Sequence, residues 1–211
     1  MVDFSTHKHF IKICGVTTVS DATAIAELGA SSIGLVLSAS TRRITIHEAA
    51  EIVDALNGGT VSTAVVRDES MKYVLDCVDA TRVDAVQVHG VLHDELLREL
   101  RDRDVKVIKA LSIDSEEFGA FDNSLVDAIL IDGPTPGSGQ RHRWPERGAL
   151  TFSVPYVAAG GLTPDNVAEV ISQLKPWGVD VATGVETSPG VKDLKRVSEF
   201  IDAASRAFDK E

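Results

Sequence analysis

Two residues stand where they could move protons. Cys14 ends the apolar run His9-Phe10-Ile11-Lys12-Ile13-Cys14, and Gly15 follows at once. Asp132 ends a second run, Ile129-Leu130-Ile131-Asp132, and Gly133-Pro134 follows. A thiolate can act as a general base, and a carboxyl kept protonated by its surroundings can act as a general acid. A thiol titrates near ~8.5, and lower beside a cation or a helix N-terminus. Lys12 lies two residues before Cys14, so on an extended strand both project to the same side. Each residue also has a blander reading. A lone cysteine is often a small buried hydrophobe, which suits Cys77, inside the helical pattern Met71–Ala80, better than Cys14. Asp132-Gly133-Pro134 is also good turn chemistry.

Other run ends carry further candidates. Arg42 can clamp a carboxylate bidentately, while its neighbour Arg43 is better read as a solvated loop residue. Gln87 and His89 close the run Val83–Val88, Lys109 sits in Val105–Leu111, and Arg67-Asp68 follows Val61–Val66. Asp180 can hold a hydroxyl or orient a loop. Gly160-Gly161 and Thr183-Gly184 follow the last two runs. Glycine lets backbone N–H groups approach an anion, and a helix start behind the turn adds its dipole, so these turns are candidates for binding phosphate.

The elements that position these residues follow one scheme. Eight short runs, most rich in Val and Ile, recur at Phe10–Ile13, Ser32–Leu37, Val61–Val66, Val83–Val88, Val105–Leu111, Val126–Ile131, Val154–Ala159 and Val179–Ala182. They hardly alternate, as strands buried on both faces do. Helical patterns fill the gaps. Thr45-Ile46-His47-Glu48 is a capping box ahead of Ala49, Ile52, Val53 and Leu56. Thr163-Pro164 predicts an N-cap and first turn ahead of Val167, Val170, Ile171 and Leu174, and a last helix follows Pro189-Gly190. The weakest unit is the sixth, where Gly133–Leu150 is rich in Gly, Pro and Arg. Eight β–α units, with no GxGxxG after the first strand, predict a (β/α)₈ barrel, an α/β fold in one domain over residues 1–211, in preference to an open doubly wound sheet. The chemistry of such a barrel lies at the C-terminal ends of its strands, where these candidates fall.

The 211 residues, 44% hydrophobic and 25% charged, suit one globular domain. No apolar run approaches the ~18 residues of a membrane span. The N-terminus lacks the plan of a signal peptide, and two distant cysteines suit a cytoplasmic protein with reduced thiols. The net charge of −11 argues against nucleic-acid binding and anionic membranes, but not against a small anionic ligand.

Taken in order, the motifs resemble the phosphoribosylanthranilate isomerase family of tryptophan biosynthesis. They are Lys12-Ile13-Cys14-Gly15-Val16-Thr17, Asp84-Ala85-Val86-Gln87-Val88-His89-Gly90, Ile129-Leu130-Ile131-Asp132, the stretch from Ala159-Gly160-Gly161 to Asn166-Val167, and the stretch from Gly184-Val185-Glu186 to Lys192-Asp193. The resemblance spans nearly the whole chain. It implies a (β/α)₈ barrel with no cofactor and no metal, acting on a small-molecule substrate, phosphoribosylanthranilate, as a monomer or homodimer. It implies an Amadori rearrangement with Cys14 as general base and Asp132 as general acid. It further implies Arg42 at the anthranilate carboxylate and glycine turns on the phosphate.

The chain departs from the family at three places. Val65-Val66-Arg67-Asp68 stands where Val-Phe-Val-Asn is usual, and Ala182-Thr183-Gly184 where Ser-Ser-Gly is common. The loop Gly137-Ser138-Gly139-Gln140-Arg141-His142-Arg143-Trp144 keeps only the glycines and tryptophan of its counterpart. Three readings compete. A metal-dependent epimerase would need ligands on several strand ends, which His89 alone does not supply. An isomerase serving histidine synthesis would show two related half-barrels and an aspartate in place of Cys14. An inactive phosphate-binding barrel would not need to keep both Cys14 and Asp132.

Overall fold

The computed structural model describes residues 4, 8–56, 59–119, 121–133, 144 and 152–211. Eight parallel strands pair in chain order: β1 (Phe10–Cys14), β2 (Ser32–Val36), β3 (Val61–Arg67), β4 (Ala85–His89), β5 (Lys106–Ser112), β6 (Ala128–Asp132), β7 (Tyr156–Ala158) and β8 (Gly178–Val181). β1 pairs with both β2 and β8, so the sheet is a closed barrel and the open-sheet alternative falls. Helices α1 (Val19–Glu27), α2 (Ile46–Ala55), α3 (Met71–Thr81), α4 (Asp94–Asp102), α5 (Val167–Leu174) and α6 (Leu194–Phe208) lie between or after the strands. A small antiparallel hairpin, β9 (Glu186–Ser188) and β10 (Val191–Lys192), precedes α6.

Alternation along each strand separates two apolar layers. Ile11, Ile13, Ile33, Leu35, Val86 and Val88 face the helices in one large cluster. Phe10, Val61, Ala85, Ile108, Ala128, Leu130 and Val157 face inward and fill the lower barrel. Trp177 stacks on Phe10 with ring centroids 4.7 Å apart, and Phe4 packs against both, so aromatic rings close the N-terminal end of the barrel. Above them comes a polar layer. Lys12 pairs in register with Asp180 and Ser32, and the Ser32 hydroxyl meets that of Thr63 at 2.9 Å.

Local chemistry accounts for most element ends. The capping box at Thr45 forms with both of its hydrogen bonds. β4 and β6 begin two residues, and β5 one residue, after the apolar runs suggest. Val83, Val105 and Val126 are buried, but the strand edge beneath them is taken by side chains. Asp84 accepts from the Ser62 N–H and hydroxyl, and Asp127 accepts from the Val107 N–H and the Lys106 ammonium. After β5 the predicted helix is replaced by two 3₁₀ turns, Glu116–Gly119 and Asn123–Leu125. The helix expected at Thr163-Pro164 starts later, at Val167, with Asn166 as its cap. The Thr163 carbonyl accepts from the Asn166 and Val167 N–H groups, and Asn166 turns its side chain back to the Thr163 N–H and the Gly161 carbonyl. A turn that ties down the preceding glycines takes the place of the first helical turn. Of the loop Gly137–Trp144 only Trp144, which is buried, lies within the described residues.

The two layers make separate demands. Phe10→Ala opens a cavity among the basal rings and should cost about 3–5 kcal/mol of unfolding free energy in a urea titration.

Candidate active site

The C-terminal ends of the strands surround a cleft of about 280 Å³. Cys14 at the end of β1 and Asp132 at the end of β6 both line it, from strands three places apart around the barrel. Gln87 and His89 line it from β4, and Asp180 from β8. Gly160, Gly161, Thr183 and Gly184 form the wall above β7 and β8, and Arg42 reaches in from the loop after β2. The ten candidate residues therefore share one cleft. Lys109 is different: the structure corrects its placement at the mouth. It shares the outward face of β5 with Val107 and Leu111, and its buried ammonium donates to the Gly90 carbonyl at 2.7 Å and to Glu117 at 2.9 Å. It props up a loop in the helix layer.

Lys12 and Cys14 do project together. A Cβ on Gly34 would lie 2.7 Å from Cys14 Sγ and 2.9 Å from Lys12 Nζ, so β2 must have a glycine here for thiol and ammonium to sit side by side. Burial pushes the Cys14 thiol up, against the pull of Lys12, so the free protein carries a thiol above its usual range rather than below it. Burial disfavours the Lys12 ammonium, but Asp180 at 3.0 Å and Cys14 beside it outweigh burial and keep it charged. Burial also pushes Asp132 up, to about 6, with Asp180 adding repulsion, against the Gly133 N–H bonded at 2.8 Å and the charges of Arg67 and Lys12. His89 goes the other way, down to about 3, through burial and three neighbouring cations, Arg67, Lys12 and Lys109. It is a neutral imidazole at physiological pH.

The wall above β7 and β8 needs glycine for its backbone conformation. Gly160 and Gly161 have φ of +88° and +66°, a left-handed region that favours glycine. A Cβ on Gly184 would collide with the Leu162 carbonyl oxygen, so the turns above β7 and β8 pack backbone to backbone. Asn166 then pins Gly161 from behind.

Sequence reasoning gave no role to Glu186 or Lys192, although both lie in a stretch that carries the resemblance. Glu186 is buried and accepts from Arg42 Nε at 2.8 Å, Arg42 Nη2 at 2.7 Å, Lys192 Nζ at 2.7 Å and the Gly190 N–H at 3.2 Å. Burial pushes its carboxyl up, but the bonds to Arg42 and Lys192 win and hold it below the usual range. Lys192 also donates to the Cys14 carbonyl at 2.6 Å, so the β9–β10 hairpin fastens the end of β1. The signal was available: a glutamate and a lysine six residues apart across Pro189-Gly190, within a tight hairpin. Arg42 accordingly differs from expectation. Its paired Nε/Nη2 edge is already on Glu186, and Nη2 also donates to Thr183 Oγ1 at 3.0 Å. Only Nη1 is left for a ligand, so Arg42 cannot form the bidentate clamp alone.

The fold and the cleft define a (β/α)₈-barrel protein with a thiol and a protonatable carboxyl converging on one cavity beside a wall of glycine turns. The comparisons narrow this. Residues 11–203 match the family described as N-(5'phosphoribosyl)anthranilate (PRA) isomerase. The N-(5'-phosphoribosyl)anthranilate isomerase of Streptococcus pneumoniae (strain ATCC BAA-255 / R6) is 34% identical over 95% of this chain and 98% of its own. The crystal structure of phosphoribosyl anthranilate isomerase from Thermus thermophilus superposes with a TM-score of 0.82 at 33% identity, covering 93% of this chain and 98% of that one. A further isomerase structure, in complex with reduced 1-(o-carboxyphenylamino)-1-deoxyribulose 5-phosphate, gives 0.79 at 31% identity over 94% and 99% of the two chains. The chain belongs to the phosphoribosylanthranilate isomerase family.

The raised carboxyl has a thermodynamic signature. A folded-state pKa of about 6 against an ordinary 3.8 means that the native state binds the proton more tightly. Stability therefore falls as pH rises between those values, and the ionised group costs about 3 kcal/mol at pH 7. Asp132→Asn keeps the acceptor for the Gly133 N–H and removes the charge. Urea unfolding should find it more stable than wild type at pH 7 by up to that amount, with the gain vanishing near pH 4.

Proposed function

We propose that this protein rearranges N-(5-phospho-β-D-ribosyl)anthranilate to 1-(2-carboxyphenylamino)-1-deoxy-D-ribulose 5-phosphate for tryptophan biosynthesis in the cytoplasm, as a single catalytic domain. The carrying observation is that one buried cleft holds Cys14 and a carboxyl poised near pH 6 at Asp132, on strands that face a substrate from different sides.

In this reading Asp132 gives its proton to the ribose ring oxygen. The C1–O bond breaks, the ring oxygen leaves as a hydroxyl, and the anilino nitrogen lone pair forms the Schiff base. Cys14 as thiolate then takes the proton from C2. The C2–H electron pair becomes a C1–C2 double bond, and the cationic nitrogen absorbs the displaced pair, giving an enolamine. Return of a proton to C1 and loss of the C2 hydroxyl proton complete the ketone, so no atoms are gained or lost. Because the Schiff base is an electron sink, a thiolate is a strong enough base. Lys12 lowers the cost of that thiolate in a site where burial opposes it. Asp180 keeps Lys12 charged and in place. The glycine turns above β7 and β8 would take the phosphate through backbone N–H groups. No helix among the described residues is long and apolar enough to cross a membrane.

The test is fluorescence decay of freshly made phosphoribosylanthranilate, with product confirmed by coupling to indole-glycerol-phosphate synthase. Enzyme-dependent turnover is expected, and binding without turnover would instead favour an inactive phosphate-binding barrel. Cys14→Ser and Asp132→Asn should each lose about 10²–10⁴-fold in kcat, and a variant retaining the wild-type rate would sink its assigned role. The pH profile of kcat/KM should be bell-shaped, rising through pH ~6 and falling above the raised thiol pKa. Between those limits one proton is shared by the pair, and only the minority form with Asp132 protonated and Cys14 ionised reacts. The limb near pH 6 should vanish from the residual activity of Asp132→Asn.

A further inference from the structure

Arg42 presents only Nη1 to a ligand, because Glu186 and Thr183 hold its other donors. A second guanidinium lines the same cleft. Arg67 ends β3, the strand beside β2, and its inward direction follows from the alternation that turns Val61 into the barrel. Its backbone is fixed: the Arg67 N–H donates to Ser38 Oγ at 2.8 Å, and Ser38 begins the loop that carries Arg42. The guanidinium itself is exposed and lightly held, with Nη2 3.5 Å from His89 Nδ1. That neighbour is a neutral imidazole and offers no countercharge. Arg67 can only donate, so Nδ1 accepts and the imidazole proton lies on Nε2. Gln87 lies with its amide nitrogen 2.8 Å from that Nε2 and its Oε1 buried without a partner, and a half-turn of the amide places the oxygen on the Nε2 proton.

β3 lies opposite β7 in the eight-stranded ring, and β4 opposite β8. Arg67 therefore faces the glycine turns across the cleft. The proposed substrate is anionic at both ends, with a phosphate on the ribose and a carboxylate on the aromatic ring. With the phosphate on the glycine turns, the carboxylate is directed to the β2–β3 side. We propose that Arg67 binds the substrate carboxylate together with Nη1 of Arg42, so that two guanidiniums share the recognition that a single free arginine fork would provide. The proposal rests on the isomerase reading and adds a specificity-determining residue to it.

The experiment compares steady-state kinetics of wild type, Arg67→Gln and Arg67→Lys on phosphoribosylanthranilate and on its carboxylate-free analogue, the phosphoribosyl derivative of aniline. Loss of one exposed charge-assisted contact should raise the KM of Arg67→Gln for the carboxylate substrate roughly tenfold. Its kcat should stay within about threefold, and Arg67→Lys should lie between the two, keeping the charge but losing the planar fork. On the carboxylate-free analogue Arg67→Gln should keep its kcat/KM within about threefold of wild type, the margin left by the loss of a charge that acts on Asp132, Arg67→Lys should match wild type, and inhibition by inorganic phosphate should be equal. An active wild type with unchanged KM in Arg67→Gln overturns the proposal alone. So does an equal loss on both substrates, which would move Arg67 to the phosphate or to Asp132. An inactive wild type overturns the isomerase reading and this proposal together. The guanidinium is exposed, so thermal melting of the variants should match wild type, and a lost fold does not confound the result.

Discussion

The contact between Lys12 and Asp180 joins the last strand of the barrel to the first. The two residues are register partners across β1 and β8, and their side chains meet at 3.0 Å where almost no water reaches. Taken as stability, a buried ion pair is a weak asset, because desolvating both charges costs about as much as the attraction returns. Its value lies in what it leaves above it. Asp180 keeps an ammonium charged in the barrel interior, and that ammonium lies beside the Cys14 sulfur. Gly34 on the adjacent strand makes room for both. Asp180 also repels Asp132 and helps to hold that carboxyl protonated. A single pair thus eases proton loss at the thiol and hinders it at the Asp132 carboxyl, and the proposed proton transfers need both effects.

A second buried carboxylate governs the other half of the cleft. Glu186 collects Arg42, Lys192 and a backbone N–H, and Lys192 extends the network to the Cys14 carbonyl. Two lysines from different elements thereby bracket Cys14, one beside its side chain and one on its backbone. Buried charges must be satisfied, and here Glu186 and Lys192 are, while half-buried Arg42 keeps only Nη1 outside the network. The network costs Arg42 most of its capacity to bind a ligand. An arginine held in this way is well oriented and has few donors to spare, and that gives Arg67 a role at the mouth.

The sequence made the barrel legible because strands buried on both faces leave eight apolar runs that nothing else in the chain resembles. It made Cys14, Asp132 and the glycine turns legible because each ends a run, where a barrel places its chemistry. The limits came from contacts between distant residues. Lys109 looks like a site residue by position, but strand alternation turns it outward, and a one-residue change of register reverses that reading. Thr163-Pro164 looks like a helix start, but Asn166 offers its side chain to the same backbone groups and wins. The direction of the Cys14 shift was also hidden. A neighbouring lysine at i−2 argues for a lower pKa, while burial, which argues for a higher one, depends on all eight strands. The pairing of Glu186 with Lys192, six residues away across Pro189-Gly190, could be read locally, but its bond to Arg42, 144 residues away, could not.

The division of the barrel interior follows from these demands. Below the Lys12 layer the barrel is filled by Phe10, Val61, Ile108, Leu130 and Val157, and aromatic rings seal its base. Above it, every inward position that faces the cleft from β1, β4, β6 or β8 carries a polar or titratable group or leads into a glycine turn. The upper half is costly, since Asp132 is held near pH 6 against its solution preference and the charges of Lys12 and Asp180 are taken out of water. Such groups persist only where the rest of the structure fixes them. The apolar lower barrel supplies a rigid ring of strands, and the hairpin strapped over β1 supplies the remaining constraint. The energetic weakness of the cleft and its capacity for proton transfer therefore have the same physical origin: ionisable groups kept from water by a barrel that cannot rearrange to release them.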